Sequence, residues 1–243
     1  MKLFLITSVC VFTSFLSCQK ECCNEEEGYI QPYTIDTVNV GEVYQRADFS
    51  YAYNEEYELS FYVKYTINSG DIFGPGDRDK SSWKSDSFVE TGTAEDDDYV
   101  GSGYDRGHLK PAAVSKTTQD HMNQSFLFSN CTPQLVSFNR GGWRIIEEEV
   151  RHIVGDGAQD SVVVYTGPDL NNITQYIGKD NKIGVPKYHF KAVLYGDSSK
   201  AYAYLCPNEK LESPYDNYIV SIDSVESLIG IDLYQGLDEN LEK

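Results

Sequence analysis

Positive charge is scarce in this chain. Its 243 residues include 20 Lys and Arg against 38 Asp and Glu, a formal net charge of -18. That balance excludes a protein held to polyanions by its surface as a whole, and leaves phosphate binding only to a local group of cations in a cleft. Cysteine is sparse where it would count. Of six, Cys10 and Cys18 fall in the leader, Cys22 and Cys23 just beyond it, and only Cys131 and Cys206 lie in the body of the chain. No Cys-x-x-Cys pair or Cys/His cluster is present, which excludes a zinc-ribbon or zinc-finger framework. Internal repeats and a second domain are also missing.

What is there begins with an export signal. Met1-Lys2 precedes an apolar run from Leu3 to Leu16, ending Phe15-Leu16-Ser17-Cys18. The run is too short for a comfortable membrane span. Its end resembles a bacterial lipoprotein lipobox, although Phe15 stands where leucine is more usual. The resemblance implies lipidation of Cys18, attachment to a membrane through that lipid, and a place at the outer membrane or cell surface. Ordinary signal-peptidase cleavage, giving a periplasmic or secreted protein, is the other reading. The expected division is a signal over 1–18, an acidic tether over 19–45 and one domain over 46–243, long enough to bury a core. Export permits a Cys131–Cys206 disulfide; two buried thiols fit the sequence equally well.

Along the domain, Tyr57 to Tyr65 alternates around Leu59, Phe61 and Val63, the pattern of a half-buried strand. Residues 67–103 have turn residues and charges with little apolar period, and predict a long loop. Ser161 to Tyr165 reads as a strand stopped at Gly167-Pro168, and residues 170–186 as a polar excursion. His189 to Tyr195 and Ala201 to Leu205 read as paired strands, and Val220 to Leu228 as a short amphipathic segment before Gly230. Strands outnumber helices, so the class is α+β. The dominant helix is expected from about Asn139. At 100° per residue, Trp143, Ile146, Val150, Ile153 and Val154 fall within about 60° of Asn139 and form a core stripe. Arg140, Arg144 and Arg151 cluster on a basic stripe, with Glu147 between the two.

The stretch from Tyr104 to Val154 concentrates the chemistry. It delivers Arg106, His108, Asn130, Asn139 and Glu147 in turn. Cleaving a phosphodiester needs an activated water, charge relief at the phosphoryl oxygens, help for the leaving oxygen, and positioning. Histidine is the natural base near neutral pH. Mg²⁺ accepts few protein ligands and keeps several waters, so one asparagine oxygen can hold it. Arginine matches phosphate geometry. Glu147 lies about 12 Å along the axis from Asn139, a span that suits contact through a metal-bound water. Gly107 marks a position where a side chain would obstruct or where φ is positive. Each residue alone has a plainer reading: His108 a loop histidine, Asn139 a helix cap, Arg106 a partner of Asp105, and Arg144 an i,i+4 partner of Glu148.

Together, Tyr104-Asp105-Arg106-Gly107-His108-Leu109, Asn130-Cys131-Thr132-Pro133-Gln134 and Phe138-Asn139-Arg140-Gly141-Gly142-Trp143 resemble the DNA/RNA non-specific endonuclease family. The resemblance extends over about residues 50–235. It implies a ββα-metal (His-Me finger) nuclease with a central antiparallel sheet, in which His108 ends one strand, Phe126 to Cys131 forms the second and the Asn139 helix closes the unit. It implies His108 as general base, Asn139 as the direct ligand of Mg²⁺ (or Mn²⁺), and Glu147 holding metal waters. Arg106 and Arg78 would contact phosphate, Asn130 would support the site, and Arg140, Arg144, Gln134 and Lys110 would bind substrate. DNA and RNA would both be cut, leaving 5′-phosphate ends. A non-catalytic surface nucleic-acid-binding module and a phosphodiesterase for small nucleotides are the alternatives. Two features depart from the pattern. The strong acidity predicts steep salt sensitivity or weak affinity. The run Glu95-Asp96-Asp97-Asp98 near the motif reads as a solvated loop, a barrier to substrate or a cation site.

Overall fold

Aromatic and β-branched residues at alternating positions lay down the frame. A computed structural model describes residues 40–243, all within the compact unit Pro32–Lys243. The expected signal peptide, Cys18 and most of the tether lie outside the described residues. The tether's last part does not: Val40 is buried and β1 (Val43–Gln45) already joins the sheet. The chain continues through β2 (Phe49–Asn54), β3 (Leu59–Asn68), β4 (Tyr104–His108), β5 (Cys131–Leu135) and β6 (Ser161–Pro168). Strands β7 (Ile173–Ile177), β8 (Ile183–Pro186), β9 (Tyr188–Tyr195), β10 (Ala201–Pro207) and β11 (Ile219–Val220) follow. The helices are α1 (Ser69–Phe73), α2 (Asp96–Tyr99), α3 (Gln119–Gln124), α4 (Trp143–Gly155), α5 (Ile222–Ile229) and α6 (Glu239–Glu242).

Seven strands form one antiparallel sheet in the order β1-β2-β3-β6-β9-β10-β11. Its register sets Tyr65 opposite Val164 and Val164 opposite Val193. The expected alternation in β3 is present, but the strand is not half-buried. Val63, Tyr65 and Ile67 pack on one core with Trp143, Ile146 and Val150 of α4. Tyr62 packs on the other with Tyr165, Phe190 and α5 residues Ile222 and Val225. A central strand covered on both faces buries its polar-looking positions too, and tyrosine is suited to that because its ring is largely apolar.

Other expectations shift in detail. β6 runs on through Gly167-Pro168, and the polar excursion at 170–186 is the β7–β8 hairpin. The paired strands at 189–205 form as read, with Ala201 opposite Leu194. The segment at 220–228 becomes α5, ended by Gly230 at φ 73°. The stretch 67–103 is a loop broken by α1, a 3₁₀ turn at Arg78–Lys80 and α2. Cys131 and Cys206 are buried free thiols, not a disulfide. No described helix is long and apolar enough to cross a membrane.

The unit that positions the chemistry stands beside the large sheet. β4 and β5 pair antiparallel, with His108 opposite Cys131 and Asp105 opposite Gln134. The second strand therefore starts at Cys131; Phe128–Asn130, expected within it, is a 3₁₀ turn. α4 begins later than expected. Phe138–Gly142 forms a π-helical turn in which Gly141 leaves helical geometry at φ -100° and ψ -123°, and regular helix starts at Trp143. Asn139 is thus ahead of the helix and off its register.

Candidate active site

One cleft of about 560 Å³ collects the motif residues. β4 contributes Asp105, Arg106 and His108, and the π-turn contributes Asn139 and Arg140. Helix α4 adds Arg144, Glu147, Glu148 and Arg151, and the 67–103 segment adds Arg78 and Trp83. Gly107 is required by a close approach, not by positive φ. A Cβ there would lie 2.2 Å from the Gln134 side chain packed beneath it. Arg106 and His108, alternate residues of β4, face the same opening, while Gly107 backs onto Gln134 on the other side.

His108 is held by rings. Trp83 lies 4.5 Å from it and Phe126 meets it edge-on at 4.6 Å, centroid to centroid. Its Nε2 is buried without a hydrogen-bond partner. Burial depresses its pKa to about 3, with the Arg78 charge acting the same way. The imidazole is therefore neutral at ordinary pH, the form that accepts a proton. Burial likewise raises the Glu147 carboxyl above its usual range, opposed first by the Lys191 ammonium and then by Arg151, Arg78 and Arg144. Lys191 is fully buried, with Nζ 3.3 Å from the Tyr65 hydroxyl and 3.4 Å from Thr166 Oγ1.

Asn139 donates from Nδ2 to Asp105 Oδ2 at 2.9 Å. That leaves Oδ1, a hard neutral oxygen, to face the cleft. Such an oxygen, in a cleft that Glu147 also lines, fits Mg²⁺ or Mn²⁺, which take oxygen ligands and keep several waters. Arg140 closes on Asp105 in a two-pronged pair at 2.8 and 2.7 Å. Arg144 reaches Glu148 at 3.0 Å and Arg151 reaches it at 3.6 Å, while Arg106 pairs with Asp96. Arg78 has no carboxylate within ion-pair distance among the described residues; its guanidinium lies 5.8 Å over the Phe126 ring. The basic island that the acidic composition demanded exists, and most of its members are already paired.

Three expected site residues do not reach the cleft. Lys110, expected to bind substrate, is fully buried and paired with Asp48. Asn130, expected among the catalytic residues as a support of the site, is also fully buried. Its Oδ1 accepts from the Lys110 backbone N–H at 2.7 Å, and its Nδ2 donates to the carbonyls of Lys110 and Ser125 at 2.9 and 2.8 Å. It fixes the chain behind His108. Gln134 packs under Gly107 and touches no opening. The acidic run is solvated at Glu95, Asp96 and Asp97, as expected, but it forms the helical turn α2 and its last member turns inward. Asp98 is buried and accepts from the backbone N–H groups of Lys179, Asp180 and Asn181, while Asp96 holds Arg106. Sequence reasoning missed Trp83 as the wall of His108. The plainer reading of Arg106 as a partner of Asp105 does not hold: Asp105 serves Asn139 and Arg140, and Arg106 pairs with Asp96.

Asp48, Asp71 and His121 offer ligand atoms within 4.8 Å of one another, away from the cleft. The Lys110 ammonium already sits on Asp48, and Thr117 donates to Asp71. That group is balanced by an internal cation.

The β4–β5 hairpin closed by α4 beside a central antiparallel sheet makes this an α+β protein of the ββα-metal nuclease class. The DNA/RNA non-specific endonuclease family matches residues 27–240, and the chain belongs to that family. A nuclease of Syncephalastrum racemosum is 32% identical over 225 residues, covering 83% of this chain and 70% of the relative. Human mitochondrial endonuclease G is 28% identical over 208 residues, covering 79% and 69%. A crystal structure of endonuclease G bound to its inhibitor superposes with a TM-score of 0.75 at 25% identity, covering 82% of this chain and 88% of that one. The protein is an endonuclease, a hydrolase of nucleic-acid phosphodiester bonds.

Proposed function

We propose that the chain cuts both DNA and RNA without regard to base or sugar, with His108 as general base and a divalent metal at Asn139. The observation behind this reading is one cleft that holds a neutral imidazole, an uncommitted asparagine oxygen and an unpaired arginine, Arg78. Asn139 Oδ1 would hold Mg²⁺ or Mn²⁺ and Glu147 its water shell, and the ion supplies Lewis-acid relief at the phosphoryl and leaving oxygens. His108 takes the proton of the attacking water. Trp83 and Phe126 hold that ring and keep bulk water from its far side. Arg78 contacts phosphate directly, and Arg106 does so by exchanging Asp96 for it. Arg140 and Arg144 stand at the rim, where their pairs with Asp105 and Glu148 moderate their pull on the strand. Water adds to phosphorus as the P–O3′ bond breaks, and the departing O3′ takes a proton, which leaves 5′-phosphate and 3′-hydroxyl ends.

The leader supports export, lipidation at Cys18 and a position at the outer membrane or cell surface. Plasmid and RNA digestion with Mg²⁺, with Mn²⁺ and with EDTA, followed by end-group analysis, tests the reading. Cutting of both polymers, lost in EDTA and leaving 5′-phosphates, is expected. Cutting that persists in EDTA, or 3′-phosphate ends, would overturn it.

A further inference from the structure

Asp105 heads the Asp-Arg-Gly-His run, yet the proposed chemistry gives it no proton to move and no phosphate to bind. Its side chain is only 15% exposed and both carboxylate oxygens are engaged. Oδ2 accepts from Asn139 Nδ2 at 2.9 Å and from Arg140 Nε at 2.8 Å; Oδ1 accepts from Arg140 Nη2 at 2.7 Å.

The chemistry of those contacts decides an orientation. An amide is nearly symmetric in shape, and its two ends differ only in hydrogen bonding. An ionised carboxylate can only accept, so the end of Asn139 that meets Asp105 must be Nδ2. Oδ1 then points the other way. The backbone adds little to this choice, because Asn139 lies in the π-turn ahead of α4, where Gly141 breaks helical geometry. Were the amide reversed, its two N–H dipoles would face the cation and its oxygen would face a carboxylate.

We infer that Asp105 is a positioning residue that sets which end of the Asn139 amide faces the cleft, so that a divalent cation meets Oδ1. Arg140 acts behind it, fixing the Asp105 carboxylate with two parallel hydrogen bonds. Because Asp105, Arg106 and His108 share β4, the same strand sets the base, the phosphate contact and the orientation of the metal ligand. This inference rests on the proposed metal site at Asn139.

The test is Mn²⁺ binding by the full-length chain, followed by electron paramagnetic resonance, with folding checked by circular dichroism. Asn139→Ala sets the floor. Asp105→Asn keeps size and shape but lets the amide turn, and is expected to weaken Mn²⁺ binding on the order of tenfold or more. The double variant Asp105→Asn/Asn139→Asp restores a fixed arrangement, since the carboxylate now at the ligand position accepts from the new amide with one oxygen and offers the other. Its affinity is expected to recover to within a few-fold of the parent, although the Arg140 pair stays broken. Unchanged affinity in folded Asp105→Asn, or no recovery in the double variant, overturns the inference. If Asn139→Ala binds Mn²⁺ as well as the parent, the metal reading itself fails, and the inference with it.

Discussion

At the scale of single residues, the centre depends on how one imidazole is enclosed. The Trp83 and Phe126 rings wall in His108, whose Nε2 is buried, and burial lowers its pKa to about 3. The imidazole stays neutral above that value, so the His108 limb of kcat/KM should lie well below the ordinary histidine value near 6.5, separate from the limb that the raised carboxyl of Glu147 sets. Trp83→Ala lets water back in. The His108 limb should move up toward 6.5, with kcat falling about tenfold or more as the ring loses its wall. A His108 limb that stays put in a folded Trp83→Ala protein would contradict this account. His108, Asn139 and Arg106 were legible in the sequence because their types and order suit one reaction. Trp83 and Asp105 were not, since their roles depend on contacts across the fold. Lys110, Asn130 and Gln134 show the reverse error: polar residues next to a motif can be turned inward to hold it together.

At the scale of elements, α4 links core and cleft. It buries Trp143, Ile146 and Val150 against β3 and β6 while presenting Glu147 and Arg151 to the opening. Ile146→Ala should cost about 2–5 kcal/mol of stability, measured by urea unfolding; a cost below about 1 kcal/mol would mean the stripe does not carry the helix. The core stripe was readable because α4 keeps a 3.6-residue period from Trp143 on. The start of the helix was not, because the π-turn at Phe138–Gly142 leaves the apolar pattern intact while shifting Asn139 off it. The second strand was placed early for a similar reason: Phe126 to Cys131 is apolar enough for a strand, yet Phe128 is buried within a 3₁₀ turn and only Cys131 belongs to β5.

At the scale of the whole molecule, net charge gives a poor guide to the cleft. Five arginines line it, but Arg106, Arg140, Arg144 and Arg151 have carboxylate partners. Few counterions are therefore released on binding. Substrate affinity should be weak, with a log–log salt slope of about -2, shallower than the composition alone suggested. A slope of about -5 or steeper, from binding of His108→Ala to labelled DNA, would show a wider phosphate track. Two buried histidines also shape acid stability. Burial depresses the pKa of both His108 and His189 to about 3, so the unfolded state binds more protons than the folded one between about pH 6.5 and 3. Their contribution is complete above about 6.5 and is lost as pH falls through that window, while the raised carboxyls of Glu147, Glu58, Glu226 and Glu242 act in the opposite sense. The histidine part is isolated by a variant: relative to the parent, the urea midpoint of His189→Gln should gain as pH drops from 7.5 to 5, and no relative gain would contradict the assignment.

If phosphodiesters are cut in the His108 cleft, plasmid nicking with Mg²⁺ should separate the parent chain and His152→Ala, an exposed histidine on α4 away from the cleft, from His108→Ala. A loss of at least about 100-fold in His108→Ala, with His152→Ala matching the parent, is the predicted result. Equal nicking by folded His108→Ala would place the chemistry elsewhere in the molecule.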